Sequence, residues 1–137
     1  DYAAAETTAE FPLVLAAGER RSYTANTVVR DPAWAKSNNA LTLAVNPTDA
    51  ASLGINDGGT ARLTTVRDSV EVGVELEKRM LPGTISLPNG FGLSYPDAQG
   101  NEVVTGISPN ELTAVEDRDD FAYTPWHKFV LARLETP

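Results

Sequence analysis

Apolar and polar residues alternate along two neighbouring segments of the chain. In residues 70–76 every second position is a valine or a leucine, and glutamate or glycine fills the positions between them. Residues 60–65 alternate in the same way, with Ala61 and Leu63 on the apolar face. Because side chains alternate between the two faces of a strand, both segments are predicted to be half-buried strands. Arg67 and Asp68 lie between them and are predicted to form the tip of a hairpin.

Shorter apolar segments predict four more strands. Residues 11–15 are apolar, with one proline, and predict a buried strand that ends in a turn at Ala16 to Gly18. Residues 41–45, 85–87 and 128–134 predict the other three. Six or so short strands with long connections are typical of a mainly β barrel with mixed parallel and antiparallel pairing, rather than of a doubly wound sheet.

Helix signals are few. Asn46 is placed to cap a helix that begins at Pro47 and ends before Gly54, which predicts about two helical turns. A second short helix is predicted to begin near Pro109. Residues 94–108 are rich in glycine, proline and amide side chains and predict a long loop.

Length and composition predict a single domain. With 137 residues, of which 42% are apolar, the chain can bury one core. Residues 1–10 contain no large aliphatic side chain and are predicted to be a linker remnant. The barrel domain is therefore predicted to comprise residues 11–137.

The charge and the apolar content exclude several classes of partner. Nineteen acidic and eleven basic residues give a net charge of −8, which repels nucleic-acid phosphates and anionic lipids. The longest apolar stretch, Phe11 to Ala17, is far shorter than the ~20 residues that span a bilayer. We therefore expect no nucleic-acid partner and no membrane span. The absence of cysteine excludes disulfides, thiolate metal sites and a cysteine nucleophile.

Residues that could carry catalysis are sparse. His127 is the only histidine, so a catalytic triad or a histidine metal cluster would depend on it alone, and a structural role is favoured. The acidic residues between Glu116 and Asp120 are interpreted as a solvated surface. Their spacing lacks the glycine that a calcium-binding loop requires at its turn.

Polar clusters at the ends of predicted elements indicate ligand binding instead. After the first strand, residues 18–27 offer a glycine, two arginines, hydroxyls and an amide, which suit a phosphate or a heteroaromatic edge. Residues 88–92 are mostly small and would let the backbone approach a ligand. Asn110 and Lys128 add an amide and a cation near later element ends. Since no cluster combines a nucleophile with a base, these residues favour holding a ligand over reacting with it.

An ordered set of motifs from Phe11 to about Glu135 resembles the C-terminal dinucleotide-binding domain of molybdopterin oxidoreductases, the family of formate dehydrogenases and dimethyl sulfoxide reductase. Asn-Pro-x-Asp-Ala followed by Leu-Gly-Ile is the most specific part of the set. The motifs are, in chain order, Leu15 to Gly18 with the arginine-rich loop after it, Asn46, Pro47, Asp49, Ala50, Leu53, Gly54, Ile55, Gly58, Pro82, Gly83, Asn110, Leu112 and Thr113.

The resemblance implies a double-psi β-barrel that closes over a bis(molybdopterin guanine dinucleotide) cofactor with molybdenum or tungsten. It implies that upstream domains of the same parent chain share this cofactor and supply the metal ligand, so that the present domain contributes no catalytic residue and no metal ligand. The residues that it implies as cofactor contacts are Gly18, Glu19, Arg20, Arg21, Ser22, Tyr23, Thr24, Asn26, Asn89, Gly90, Asn110, His127 and Lys128.

Two other functions are possible on related barrels. One is a substrate-recognition or interaction domain of the kind that precedes hexameric ATPases. The other is a self-processing decarboxylase, which would need a cleavable Gly-Ser bond. The sequence contains no Gly-Ser dipeptide, so the decarboxylase is disfavoured.

Overall fold

The computed structural model describes residues 6–19, 42–116, 118–126 and 128–137. Eight strands, one α-helix and one 3₁₀ turn form the described part of the chain. In chain order they are β1 (Leu13–Glu19), β2 (Leu43–Val45), α1 (Pro47–Leu53), β3 (Thr60–Thr65), β4 (Ser69–Leu76), β5 (Thr84–Pro88), β6 (Ser94–Pro96), β7 (Glu102–Val104), the 3₁₀ turn (Pro109–Glu111) and β8 (Val130–Glu135).

Six of the strands close into a barrel. Their order around it is β1, β5, β2, β4, β3 and β8, and β8 pairs with β1 to complete the circle. The pairs β1–β5 and β2–β4 are parallel, whereas the other four pairs are antiparallel. The predicted mainly β barrel with mixed pairing is therefore confirmed. Strands β6 and β7 form a separate antiparallel hairpin.

The barrel interior is filled by the apolar faces that the sequence pattern indicates. Leu63 on β3 and Val74 on β4 are fully buried, as is Ile85 on β5. Strand β4 shows this alternation directly. Val72 and Val74 are buried, whereas Glu71, the residue before Val72, is exposed. Burying side chains of this size stabilises the fold by about 1.5 to 3 kcal/mol each.

Helix α1 begins and ends as predicted. Asn46 accepts a hydrogen bond from the Thr48 backbone N–H at 2.8 Å, and Gly54 ends the helix with a φ of 69°. The same Asn46 side chain donates to the Met80 carbonyl at 2.7 Å. Asp49 accepts from the Gly83 N–H at 2.7 Å. The polar residues of the helix start therefore also fasten the turn between β4 and β5.

Three predictions about local structure were wrong. Strand β1 does not end at Ala16 to Gly18 but continues to Glu19, because β5 pairs with it along this stretch. Residues 94–108 are not one loop, since β6 and β7 lie within them. The second helix is only a single 3₁₀ turn.

The β6–β7 hairpin has its own local cause. The carboxylate of Asp97 accepts hydrogen bonds from the backbone N–H groups of Gln99 and Asn101, both at 2.8 Å. The hydrogen bond from the Asn101 backbone is the main cause that lowers the pKa of the Asp97 carboxyl, and the bond from the Asn101 side chain is the next.

Within the described ranges, no helix has both the length and the apolar character to cross a bilayer.

Candidate functional site

One end of the barrel gathers the six predicted site residues that the structure describes. The strand pairings fix the direction of each strand, so that β1, β3 and β5 end where β2, β4 and β8 begin. We call this the loop end, and among the described residues it comprises the end of β1, the residues that follow β3 and β5, and those that precede β8. The opposite end, which carries α1 and the turn of residues 77–83, is called the helix end.

Strands β1 and β5 bring two predicted contact segments side by side. They run parallel with Ala17 opposite Leu87 and Glu19 opposite Pro88, so Gly18 is an extra residue that forms a bulge. Bulges are frequent next to functional sites because they redirect the chain. The backbone of Gly18 and Glu19 and the start of the loop at Asn89 therefore leave the barrel at neighbouring points.

The loop after β5 is tightly held. Asn89 accepts a hydrogen bond from the Gly90 N–H at 2.8 Å, and Gly90 has a φ of 97° that favours glycine. Gly92 donates its N–H to the Thr105 carbonyl at 3.0 Å. A Cβ at Gly92 would lie 2.8 Å from the Ser108 Cβ and 2.9 Å from the Ile107 carbonyl carbon. The loop therefore packs backbone to backbone against the segment that leads to Asn110.

That segment, residues 105–115, crosses the loop end from the loop after β5 to the β3–β4 turn, and we call it the crossing segment. Leu112 is fully buried, and its carbonyl accepts a hydrogen bond from the Thr65 hydroxyl at 2.9 Å. The Arg67 guanidinium donates to the Thr113 carbonyl at 3.0 Å. These bonds hold the 3₁₀ turn at the barrel end and leave the side chain of Asn110 exposed.

The structure thus places six of the predicted contact residues at the same end of the barrel. Gly18, Glu19, Asn89 and Gly90 lie at the ends of the parallel pair, Asn110 lies on the crossing segment, and the exposed Lys128 precedes β8, which pairs with both β1 and β3. The other predicted contacts, Arg20, Arg21, Ser22, Tyr23, Thr24, Asn26 and His127, lie outside the described residues.

A cleft of about 340 Å³ opens beside Asn110. Its walls come from the β3–β4 turn, the crossing segment and the loop of residues 118–125. Asn110 is the only one of its described lining residues that belongs to the predicted cofactor contacts. The lining residues are Arg67, Asn110, Thr113, Ala114, Val115, Arg118, Tyr123 and Pro125.

The loop of residues 118–125 is built around Asp119. Its carboxylate accepts hydrogen bonds from the N–H groups of Phe121 at 3.0 Å and Ala122 at 2.6 Å. Tyr123 has a φ of 53°, in the left-handed region that side chains other than glycine rarely adopt. The Arg118 guanidinium lies over the Tyr123 ring at 4.8 Å from its centroid. The carboxylate of Asp119, predicted to belong to a solvated acidic surface, therefore holds a turn that presents Arg118 and Tyr123 to the cleft.

Sequence reasoning missed the two arginines of the cleft. Arg67 was assigned only to a hairpin tip, and Arg118 lies within the acidic run. In the part of the chain that the structure describes, no three histidine, aspartate or glutamate side chains are close enough together to hold a metal ion.

The chain resembles known proteins in both its sequence and its fold. The family model described as the molydopterin dinucleotide binding domain matches residues 13–131. Among solved structures, the chain is similar to acetylene hydratase from Pelobacter acetylenicus, with a TM-score of 0.72 and 17% sequence identity. The match covers 93% of this chain but only 19% of that one. The comparison with curated proteins gave no match.

Proposed function

The chain belongs to the molydopterin dinucleotide binding domain family, and on that premise we propose that its loop end holds the dinucleotide of a bis(molybdopterin guanine dinucleotide) cofactor of molybdenum or tungsten. The metal of such a cofactor supplies redox chemistry. The domain itself binds and orients the nucleotide portion and contributes no reacting group.

The observation that carries this proposal is the convergence at the loop end. The parallel pair β1–β5 delivers the backbone of Gly18 and the loop at Asn89, while the crossing segment delivers Asn110. Amide side chains, small residues and nearby guanidiniums offer donors to phosphates and to the edge of a heteroaromatic base. The residues present therefore fit an elongated nucleotide that lies across this end of the barrel.

We further propose that the barrel is of the double-psi type. Two parallel pairs, β1–β5 and β2–β4, lie within an otherwise antiparallel six-stranded barrel, and the two pairs run in opposite directions. This near-symmetric arrangement supports a barrel composed of two similar halves.

The domain is proposed to act within a larger oxidoreductase chain. It spans 19% of the acetylene hydratase chain that it resembles. Several large apolar side chains at the loop end are exposed, with Phe121 at 95% and both Trp126 and Phe129 at 51%. Exposed apolar groups of this kind mark contact surfaces. We assign them to contacts with the upstream domains of the same parent chain, which would cover the cofactor from the other side.

The proposal is tested by calorimetric titration of the chain with molybdopterin guanine dinucleotide. Asn110→Ala should weaken binding about tenfold, because it removes a hydrogen-bonding amide from the loop end. Asn56→Ala is the matched control, since Asn56 is an equally exposed asparagine at the helix end. Equal affinity of both variants and the unsubstituted chain would contradict the assignment of Asn110.

The alternative function, a domain that recognises a protein partner, gives a different result in the same titration. The exposed aromatic residues would serve that function equally well, but no nucleotide would bind. Absence of any heat of binding at millimolar ligand would therefore favour the interaction domain.

A further inference from the structure

The arginines of the described residues fall into two groups. Arg62, Arg79 and Arg133 lie away from the cleft, and each forms an ion pair with a glutamate: Arg62 with Glu71 at 3.2 Å, Arg79 with Glu77 at 2.7 Å, and Arg133 with Glu10 at 3.6 Å and Glu135 at 3.5 Å. Arg67 and Arg118 line the cleft, and within the described ranges neither forms an ion pair. Among the described residues of this chain, whose net charge is −8, the arginines without a carboxylate partner therefore lie at one place, the cleft.

Both cleft arginines are held in position and keep donors to spare. A guanidinium carries five N–H donors. Arg67 uses one of them on the Thr113 carbonyl, and Arg118 is positioned by stacking on Tyr123 without a side-chain hydrogen bond to any described residue. Because the side chains are already ordered, less conformational entropy is lost when a ligand binds them.

Of the described carboxylates beside the cleft, two accept hydrogen bonds from backbone N–H groups and two point into solvent. Asp119 accepts hydrogen bonds from two backbone N–H groups of its own turn. Asp68 accepts from the Ser69 N–H at 2.7 Å. Glu111 and Glu116 are exposed to solvent, where their charge is screened. Among the described residues that line the cleft, the charged ones are Arg67 and Arg118, and both are positive.

We infer that this cleft binds phosphoryl groups, with Arg67 and Arg118 as the anion-binding side chains and Asn110 as a neighbouring donor. Guanidiniums suit phosphate because their forked N–H groups can bind two oxygens at once. The volume of about 340 Å³ lies within the range of small-ligand sites. The inference rests on the proposed function in one respect, namely that the phosphoryl groups are those of the cofactor's dinucleotide.

Nuclear magnetic resonance titration of the 137-residue chain tests the inference, because it detects millimolar binding and reports folding in the same spectrum. The probes are guanosine 5′-diphosphate, inorganic pyrophosphate and guanosine. Arg67→Gln and Arg118→Gln remove one cleft charge each. Arg62→Gln is the control, because it removes the same charge from the barrel wall. Arg118 lies on an exposed loop, so its variant should keep the folded spectrum even if Arg67→Gln disturbs the crossing segment.

The expected result is that both phosphorylated probes bind. Each cleft variant should lower the affinity for both probes about tenfold, and Arg62→Gln should change it less than twofold.

Three other outcomes separate the inference from the proposed function. If guanosine 5′-diphosphate binds with an affinity that neither cleft variant changes, the inference is overturned and the proposed function stands, since the nucleotide would then bind elsewhere at the loop end. Arginine-dependent binding of pyrophosphate without binding of the nucleotide would support the phosphoryl site but contradict the proposed function. Failure of both phosphorylated probes to bind would overturn the inference.

Discussion

The two ends of the barrel use similar residue types for opposite purposes. At the helix end, polar side chains bond to their own surroundings: Asn46 to Thr48 and Met80, and Asp49 to Gly83. At the loop end, Asn110 is exposed, while Arg67 and Arg118 have no ion-pair partner among the described residues. Polar groups that are satisfied within the fold stabilise it, whereas ordered groups with spare donors are available to a ligand.

The exposed large apolar residues also differ between the two ends of the barrel. Phe121, Trp126 and Phe129 lie in the segment that precedes β8 at the loop end. At the helix end, Leu81 is the large apolar residue with comparable exposure within the described ranges. The loop end therefore combines spare donors with uncovered apolar surface, which is the expected composition of a surface that binds both a nucleotide and a neighbouring domain.

The largest effect is expected where the loop end is packed most closely. Gly92→Ala should destabilise the fold by about 2 to 4 kcal/mol, because a Cβ would clash with the backbone nitrogen and the Cβ of Ser108 and the residue has a φ of 83°. Denaturant unfolding measures this loss. Gly100→Ala is a matched control with the same φ and no atom within 4 Å of the added Cβ, and it should cost only about 1 kcal/mol. Equal losses would show that backbone conformation, and not close packing, fixes this loop.

Substitution of the helix cap should have a smaller effect, which lowers the stability of the fold without changing its affinity for the nucleotide. Asn46→Ala should lower the free energy of unfolding by about 1 to 2 kcal/mol, since it removes the helix cap and the bond to Met80. Nucleotide affinity should not change, because Asn46 lies at the helix end. Paired unfolding and titration experiments check both statements. A loss of affinity in the folded variant would contradict the division between the two ends.

The smallest effect concerns the β6–β7 hairpin and depends on pH. The pKa of Asp97 is lowered in the folded chain by its hydrogen bonds with Asn101, so its contribution to stability is complete above the ordinary value of 3.8 and is lost as the pH falls through the lowered value. Amide shifts of Gln99 and Asn101, recorded against pH, should move together in that acidic range. In Asp97→Asn this transition should be absent. A transition that persists in the variant would assign it to another group.

Much of the barrel could be predicted from the sequence because β1, β3, β4 and β8 alternate buried positions with more exposed ones. Leu63 and Val74 are buried between residues that are partly or fully exposed, and the Asn46 cap acts within a few residues of its own position. The end of β1 was mispredicted for a physical reason. Ala16, Ala17 and Gly18 are small enough for a turn, and only pairing with the distant strand β5 keeps them extended.

The candidate site was less predictable, because its geometry depends on long-range contacts. Family resemblance selected Asn89 and Asn110, but local sequence contains no sign that one segment crosses the barrel end to join them. Arg67 and Arg118 lie far apart in the chain and line the same cleft because the Thr113 contact and the Asp119 turn place them there. That neither arginine pairs with a carboxylate of the described residues is likewise apparent only from the three-dimensional structure.

Hydrogen exchange of the chain with and without molybdopterin guanine dinucleotide tests the central claim most directly, because it locates binding without any substitution. The account predicts that the dinucleotide slows exchange of the amides that follow β1 and β5 and of those near Thr113 and Tyr123, while the amides of α1 and of residues 77–83 keep their rates. Slower exchange confined to α1 and residues 77–83 would contradict the assignment of the loop end as the binding surface.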